Sequence, residues 1–479
     1  MTATCQTQFT FWKVGPQEVH VDFAGGRIVS DAGLLALRAF DKHLGIVAAL
    51  AGRLSDPRSP HLITHSKESL LTQEVYQILA GYPDGNDADT LRHDPLFKTL
   101  LDQPADDDSP ALASSSTLNR FLYAYTRRDA HLPQEERPVL CEQQTVLNQR
   151  LIVGNDYLVD LFIRTRLQKP SYVILDVDPT DDPTHGKQVL SGYHGYFGQH
   201  QYFPLYVYDG VTGFPLAAWL RPGTAHGSWG AVDTLRGIVA KLRQAWPGVL
   251  ILVRADNGLA VPEMYEFCEE EGLLYALGYA SNDVLQARTE QALWALQTYY
   301  HWYGYREPHV QRFESIDDYQ AGTWSRARRI IAKIEITPQG SNRRFVVTNM
   351  SGHPQGIYRG FYVKRGDVPE SPIGECKNGL QADRLSAHRF RANGMKLLIH
   401  TLAYALLVLY REASCTVTEM AKAEVATWRT RLWKVGAVVV TSAKRVWFHM
   451  SSSWPFRELW VRVHEEAMSY AQQLRRESS

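Results

Sequence analysis

Ile174-Leu175-Asp176-Val177-Asp178-Pro179-Thr180 and Val253-Arg254-Ala255-Asp256-Asn257-Gly258 are the two stretches on which the fold turns. Each is an apolar run that stops at acids. Tyr172–Leu175 and Val249–Val253 are strand-like, and the second is apolar throughout, which suits a strand covered on both faces. Between them, Tyr202–Tyr208 and Phe214–Leu220 flank Asp209-Gly210, a pair that suits a hairpin turn. Ala231–Ala245 reads as a helix. Pro262–Glu271 reads as another, with proline in its first turn, and Leu273–Leu277 as a further strand. Three antiparallel strands, a helix, a strand, a helix and a strand predict an α/β core. Two strands of such a sheet that lie side by side aim their terminal carboxylates into one crevice.

That chemistry points to a hard divalent cation. Mg²⁺ takes oxygen ligands, usually one or two carboxylates with water and phosphate. Two such ions about 4 Å apart serve both oxygens of a phosphoryl transfer. Bare clustered carboxylates repel one another unless a cation neutralises them. On these residues alone a plain alternative stands: strand-end aspartates often cap the following turn. Asp176 is a rival to Asp178 for the first position.

Outward from this core, Phe9–Phe23 alternates apolar and polar residues around a Gly-Pro turn and predicts two short strands. Gly33–Phe40 has helical spacing, with Ser30-Asp31 as its expected N-cap. Ser66–Gly81 and Ser114–Tyr125 predict further helices. These suit a helix-turn-helix-like DNA reader or a helical packing domain equally well. Beyond the core, Ile330–Ile336 and Phe345–Thr348 are β-branched runs within a strand-rich stretch, Gln291–Met350. Trp294, Trp302 and Trp324 make that stretch a candidate surface for gripping DNA ends. Helices return over Pro372–Ala413. Trp428–Met450 alternates valine with basic residues, and Glu458–Arg475 is helical. His194 and His200 are assigned to the first hairpin.

Net charge is zero, with 51 basic and 51 acidic residues, which at first argues against a nucleic-acid partner. Distribution matters more. Arg326, Arg328, Arg329, Lys333, Arg343 and Arg344 cluster with only Glu335 among them. A second basic stretch holds Lys422, Arg429, Arg431, Lys434, Lys444 and Arg445. Five cysteines without a C-x-x-C pair suit a reducing cytoplasm. The N-terminal segment has no apolar core of a secretory signal. Leu397–Tyr410 is too short for a membrane span and predicts a buried helix, so no membrane is expected.

A third motif follows the second acid by 114 residues: Tyr362-Val-Lys-Arg365-Gly-Asp-Val-Pro-Glu370-Ser-Pro-Ile-Gly-Glu-Cys-Lys377. With Asp178-Pro179-Thr180 and Arg254-Ala255-Asp256-Asn257-Gly258-Leu259-Ala260, it resembles the DDE transposases of bacterial insertion sequences, in particular their domain group 1. The likeness runs from Phe9-Thr10 to about Pro455. The family places its third acid in a Tyr–Arg–Glu–Lys signature, matched here by Tyr362, Arg365, Glu370 and Lys377. One departure stands out: four residues separate Arg365 from Glu370 where the signature has three, and Pro369 occupies the earlier position. The spacing from Glu370 to Lys377 is kept, which selects Glu370, with Glu375 as the alternative. Pro372 suits a first helical turn, so Glu370 would stand at a helix N-terminus, where the dipole favours an anion.

The resemblance implies an RNase H-like catalytic core interrupted by a β-rich insertion, with a mainly helical N-terminal domain. The expected parts are 1–165 for end binding and dimerisation, 166–285 and 356–412 for the core, 286–355 for the insertion, and 413–479 for a basic C-terminal region. Asp178, Asp256 and Glu370 are the implied catalytic residues and metal ligands, holding two Mg²⁺ ions with Mn²⁺ as a substitute. Tyr362, Arg365, Lys377, Arg326, Arg328 and Arg329 are the expected DNA contacts. The implied function is transposition: binding of terminal inverted repeats, metal-dependent strand cleavage and strand transfer into target DNA. A homodimer in the synaptic complex and a bacterial cytoplasmic, nucleoid-associated setting go with it. Two rivals share the three acids, an RNase H-like endonuclease without strand transfer and a silent transposase-derived DNA-binding protein. A glycosidase explains the paired acids alone.

Overall fold

The strands that carry the acids are parallel neighbours in one large sheet. The computed structural model describes residues 8–56, 58–124, 149–303, 308–365, 372–414 and 419–478. Its main sheet has eight strands: β1 (Tyr172–Pro179), β2 (Leu205–Asp209), β3 (Pro215–Trp219), β4 (Leu250–Ala255), β5 (Leu274–Tyr279), β6 (Val310–Tyr319), β7 (Arg328–Thr337) and β8 (Gly340–Thr348). They lie in the order β6-β7-β8-β5-β4-β1-β2-β3. β1, β2 and β3 form an antiparallel meander, while β4 runs parallel to both β1 and β5. The crossovers that parallel pairing requires are the helices Ala231–Ala245 and Pro262–Glu270.

β1 is longer than its apolar run predicts. It continues through both acids to Pro179, because Asp176, Val177 and Asp178 pair with Tyr208, Val207 and Tyr206 of β2. The strand-rich stretch after β5 is not a separate sheet. β8 pairs antiparallel with β5, matching Ala276 to Thr348 and Tyr279 to Phe345, so three strands extend the sheet edge. Its aromatic lead-in is a helix, Glu290–Tyr303, that packs Leu293 and Leu296 on Ile334 and Ile336 of β7.

His194 and His200 do not belong to the β2–β3 hairpin. They lie in a small sheet of Asp182–Pro183, Gly192–His194 and Gln199–Tyr202, inserted between β1 and β2.

The helical regions at the two ends of the chain form one body with the far side of the sheet. Helix Lys67–Ala80 starts where the Ser66 side chain accepts from the Ser69 N–H at 3.0 Å, and stops at Gly81 with φ of 96°. Helix Leu34–Leu44, by contrast, has no side-chain cap. Asp31, expected there, is buried and instead meets Tyr82 and Lys434 at 3.1 and 3.2 Å. The long helix Phe390–Ser414 is buried along nearly its whole length and packs on β3 and on helices Lys67–Ala80, Gln149–Arg164 and Arg457–Ser478. It is apolar because it is core. Val29, near the start of the chain, pairs with Ala437, and Arg429 donates to the carbonyls of Ile78 and Leu79 at 2.8 Å. The terminal regions are separate in sequence and joined in space.

Candidate metal centre

Asp178 sits near the end of β1, and Asp256 follows β4 directly. The parallel register matches Asp176 to Arg254 and Val177 to Ala255. One step further along the same register sets Asp256 beside Asp178, at the spacing of neighbouring strands, about 4.8 Å. Asp256 also accepts from the Gly258 N–H at 2.9 Å, so this acid does cap the following turn. Capping uses one oxygen and leaves the other for a second partner.

Asp178 carries the electrostatic signature of the site. Burial, first, and the charges of Asp176 and Asp256 push its carboxyl up to about 7, against the opposing pull of Arg365. Arg365 Nη1 lies 3.5 Å from Asp178 Oδ1. A cleft of about 240 Å³ opens here, lined by Asp176, Asp178, Thr180, Arg365, Pro372 and Ile373. Glu370 and Pro369 lie outside the described residues.

The two rival acids are each held by an arginine, Asp176 at the cleft and Glu375 in the core. Asp176 is buried and receives both Nε and Nη2 of Arg254, at 2.6 and 2.7 Å. Glu375 is 4% exposed and receives Nη1 and Nη2 of Arg411 and the Tyr404 hydroxyl, at 3.0, 2.9 and 2.9 Å. Each is a carboxylate with its lone pairs engaged inside the protein.

The sequence matches the transposase DDE domain group 1 family over residues 11–472. The chain belongs to that family. Comparison with curated proteins finds no match. Among solved structures, the chain is similar to a piggyBac transposase in a synaptic complex with hairpin DNA. The two are 13% identical, with a TM-score of 0.41, over 85% of this chain and 80% of that one.

In this DDE-family chain Arg365 comes within 3.5 Å of Asp178, and Tyr362 feels the charge of both aspartates. Tyr362 lies in a wide π-helical turn, Tyr358–Tyr362, and its hydroxyl approaches Gly278 of β5 so closely that a Cβ there would stand 2.6 Å away. Burial and the charges of Asp256 and Asp178 raise its phenol above the usual value, with Arg365 opposing. Lys377 is mostly buried and faces the loop after β1: Nζ donates to the Asp181 carbonyl at 2.6 Å and carboxylate at 3.0 Å, and to Thr180 Oγ1 at 3.3 Å. The helix expected to begin at Pro372 carries Lys377. Pro372–Gly374 makes a single turn, and Glu375–Gly379 continues as a π turn.

Arg326, Arg328 and Arg329 are not at this site. Arg326 and Arg328 converge on Glu269 at 2.6 and 2.8 Å, and the Arg328 side chain is only 2% exposed. Arg329 meets Asp317 at 3.1 Å and the carbonyls of Met350 and Gly352. Lys333 pairs with Glu335, and Arg343 with Glu290. The basic cluster in sequence is thus largely neutralised in space by acids from other segments. Trp324 is core too, packed against Tyr265, Tyr279 and Tyr319, whereas Trp294 and Trp302 are exposed. Arg254, in the R-A-D motif, donates to Asp176 and to the Phe361 carbonyl, partners that no local sequence feature marks.

The donor set fits a hard divalent cation: two carboxylates at adjacent strand ends, one of them held near neutral pH by burial and like charge. Among the described residues no group of three or more His, Cys, Asp or Glu is gathered to hold a metal.

Proposed function

We propose that this chain is an insertion-sequence transposase with an RNase H-like catalytic core, acting on double-stranded DNA at terminal inverted repeats. One observation carries the reading: Asp178 and Asp256 share the end of a parallel strand pair, where burial and then the neighbouring aspartates raise the Asp178 carboxyl. The order β3-β2-β1-β4-β5, with β2 antiparallel to its neighbours, supports the core assignment. Glu370 completes the acid set. In sequence it stands two residues before Pro372, which lines the cleft.

Two Mg²⁺ ions held by Asp178, Asp256 and Glu370 would neutralise the carboxylates and polarise the phosphoryl group being transferred. The protein's own groups do the rest. Arg365, close to Asp178 without a hydrogen bond from Nη1, offers its charge to a DNA phosphate in the cleft. Lys377 anchors the loop after β1 through Asp181 and adds positive charge at the cleft rim. The Tyr362 hydroxyl stands beside Asp256 as a donor to the same strand. The 3′-hydroxyl freed at each end is then the nucleophile for strand transfer, and a homodimer brings two ends together.

The test is Mg²⁺-dependent cleavage and joining of DNA carrying the element's own ends, with Asp178→Ala, Asp256→Ala and Glu370→Ala. All three are expected to bind the ends and fail to cut. Cleavage without joining by the unaltered protein would favour a simple endonuclease, and binding without cleavage a silent DNA-binding protein. Normal cutting by Glu370→Ala would remove that residue from the acid set.

A further inference from the structure

We infer that Arg254 is a positioning residue: it fixes the Tyr362–Arg365 segment to the two strands that bear the acids. Arg254 precedes Asp256 by two residues and points to the same side of β4. Its guanidinium has a fixed fork of donors, and together its three nitrogens hold three pieces of the site. Nε and Nη2 take both oxygens of Asp176 on β1, at 2.6 and 2.7 Å. Nη2 also reaches the Gly210 carbonyl in the β2–β3 turn, at 3.3 Å. Nη1 donates to the Phe361 carbonyl at 3.0 Å, and the Phe361 ring lies against the guanidinium, 5.2 Å from its carbon. Phe361 is the residue before Tyr362.

Gly210 shows how closely the turn is fitted to this group. A Cβ at that position would stand 2.4 Å from Arg254 Nη2 and 2.7 Å from Asp176 Oδ2. The fork on Asp176 alone would be a buried ion pair of ordinary kind, joining two strands already joined by their register. What it adds is the third arm. Ile357 and Tyr358 pack on the sheet, and the turn after them has the Arg365 N–H donating to Tyr362 O at 3.2 Å. The Phe361 carbonyl is therefore the point at which the sheet grips the segment that presents Arg365 to Asp178. A lysine could satisfy Asp176 but has no planar fork to hold Phe361 as well.

This inference rests on the proposed function only for its catalytic consequence, so the experiment has two readouts. The first is hydrogen–deuterium exchange of the full-length, metal-free protein. In Arg254→Lys, exchange across residues 358–365 should rise at least tenfold while β1 and β4 stay protected. The second is cleavage of end DNA, where kcat should fall about 100-fold with end affinity within about threefold, as expected for a small misplacement of a positioned group. Unchanged exchange at 358–365 overturns the inference whether or not the protein cuts DNA. If Arg254→Lys is destabilised throughout, the double variant Arg254→Met/Asp176→Asn decides, since it removes the arm on the Phe361 carbonyl without leaving a buried charge unpaired. Faster exchange confined to 358–365 supports the role, and wild-type exchange there overturns it. Absence of cleavage by the wild type, with the exchange result as expected, would sink the functional reading and leave the positioning role standing.

Discussion

Glu375 and Arg411 form a two-point ion pair inside the protein, at 2.9 and 3.0 Å, with the Tyr404 hydroxyl as a third donor. This pair sorts two acids five residues apart. Removing one partner of a buried pair leaves the other charge without compensation and destabilises by about 3–5 kcal/mol. Glu375→Ala is therefore expected to lower the denaturant midpoint sharply and to lose activity only in proportion to unfolding. Glu370→Ala should show the reverse: wild-type stability and no cleavage. Urea titrations of both variants, set beside their cleavage rates, check the contrast. Full stability in Glu375→Ala would refute the anchoring role.

Asp178 makes the metal-free protein sensitive to pH in a definite direction. Its carboxyl is raised to about 7 by burial, with Arg365 opposing and the nearby aspartates adding. The unfolded chain titrates near 3.8. Between those values the folded chain holds a proton that the unfolded chain has released, so stability falls as pH rises through that window. Above about 7 the loss is complete. Asp178→Asn should thus be more stable than wild type at about pH 8 without metal, with the advantage gone near pH 4. Mg²⁺ should raise the melting temperature of wild type and have little effect on the variant. A stabilising variant that no longer binds metal is the pattern expected where a strained site is kept for function. Thermal melts at both pH values, with and without Mg²⁺, decide it.

Gly278 sets the position of Tyr362. A Cβ there would meet the Tyr362 hydroxyl at 2.6 Å and the Asn257 backbone nitrogen at 3.0 Å. Gly278→Ala should push the tyrosine away from Asp256 and slow cleavage by roughly tenfold to a hundredfold, in line with small misplacements in other sites. Combining it with Tyr362→Phe removes the closest clash. The double variant should then be no slower than Tyr362→Phe alone, a non-additivity that a double-mutant cycle reads directly. Additive losses would mean the glycine matters through Asn257 instead.

The sheet was legible because its strands are apolar runs of the right length ending at acids, and Asp178 and Asp256 could be matched from the pattern of those ends. β1 outran its apolar run because pairing with β2 continued past Leu175, which no local property marks. The basic cluster at 326–344 misled for a related reason. Its counter-charges, Glu269, Glu290 and Asp317, stand outside it in sequence, and only folding brings them in. The missing cap of helix Leu34–Leu44 has the same origin: Asp31 is held by Tyr82 and Lys434 from distant segments. Periodicity reports which face is apolar; it carries no information on which distant residue will meet a buried charge.

That difference leads to opposite expectations for two sets of basic residues. Arg328 is buried against Glu269 and stacks on Tyr265 and Trp324, at 5.0 and 5.4 Å from the ring centres. Its loss leaves Glu269 with the exposed Arg326 and the Tyr275 hydroxyl, and Arg328→Ala should destabilise by about 3 kcal/mol. The folded variant should bind end DNA as wild type does, with the same salt dependence. Lys444 and Arg445, by contrast, are exposed at the tip of the hairpin formed by Ala437–Ser442 and Arg445–Met450. Neutralising both should leave the melting temperature in place. If they meet phosphates, the slope of log affinity against log salt becomes shallower by about 0.9 for each phosphate no longer neutralised. Binding isotherms over a range of salt concentrations separate the outcomes. An Arg328 variant with a shallower slope would return the 326–329 cluster to the DNA interface. An unchanged slope in the Lys444/Arg445 variant would remove the C-terminal hairpin from it.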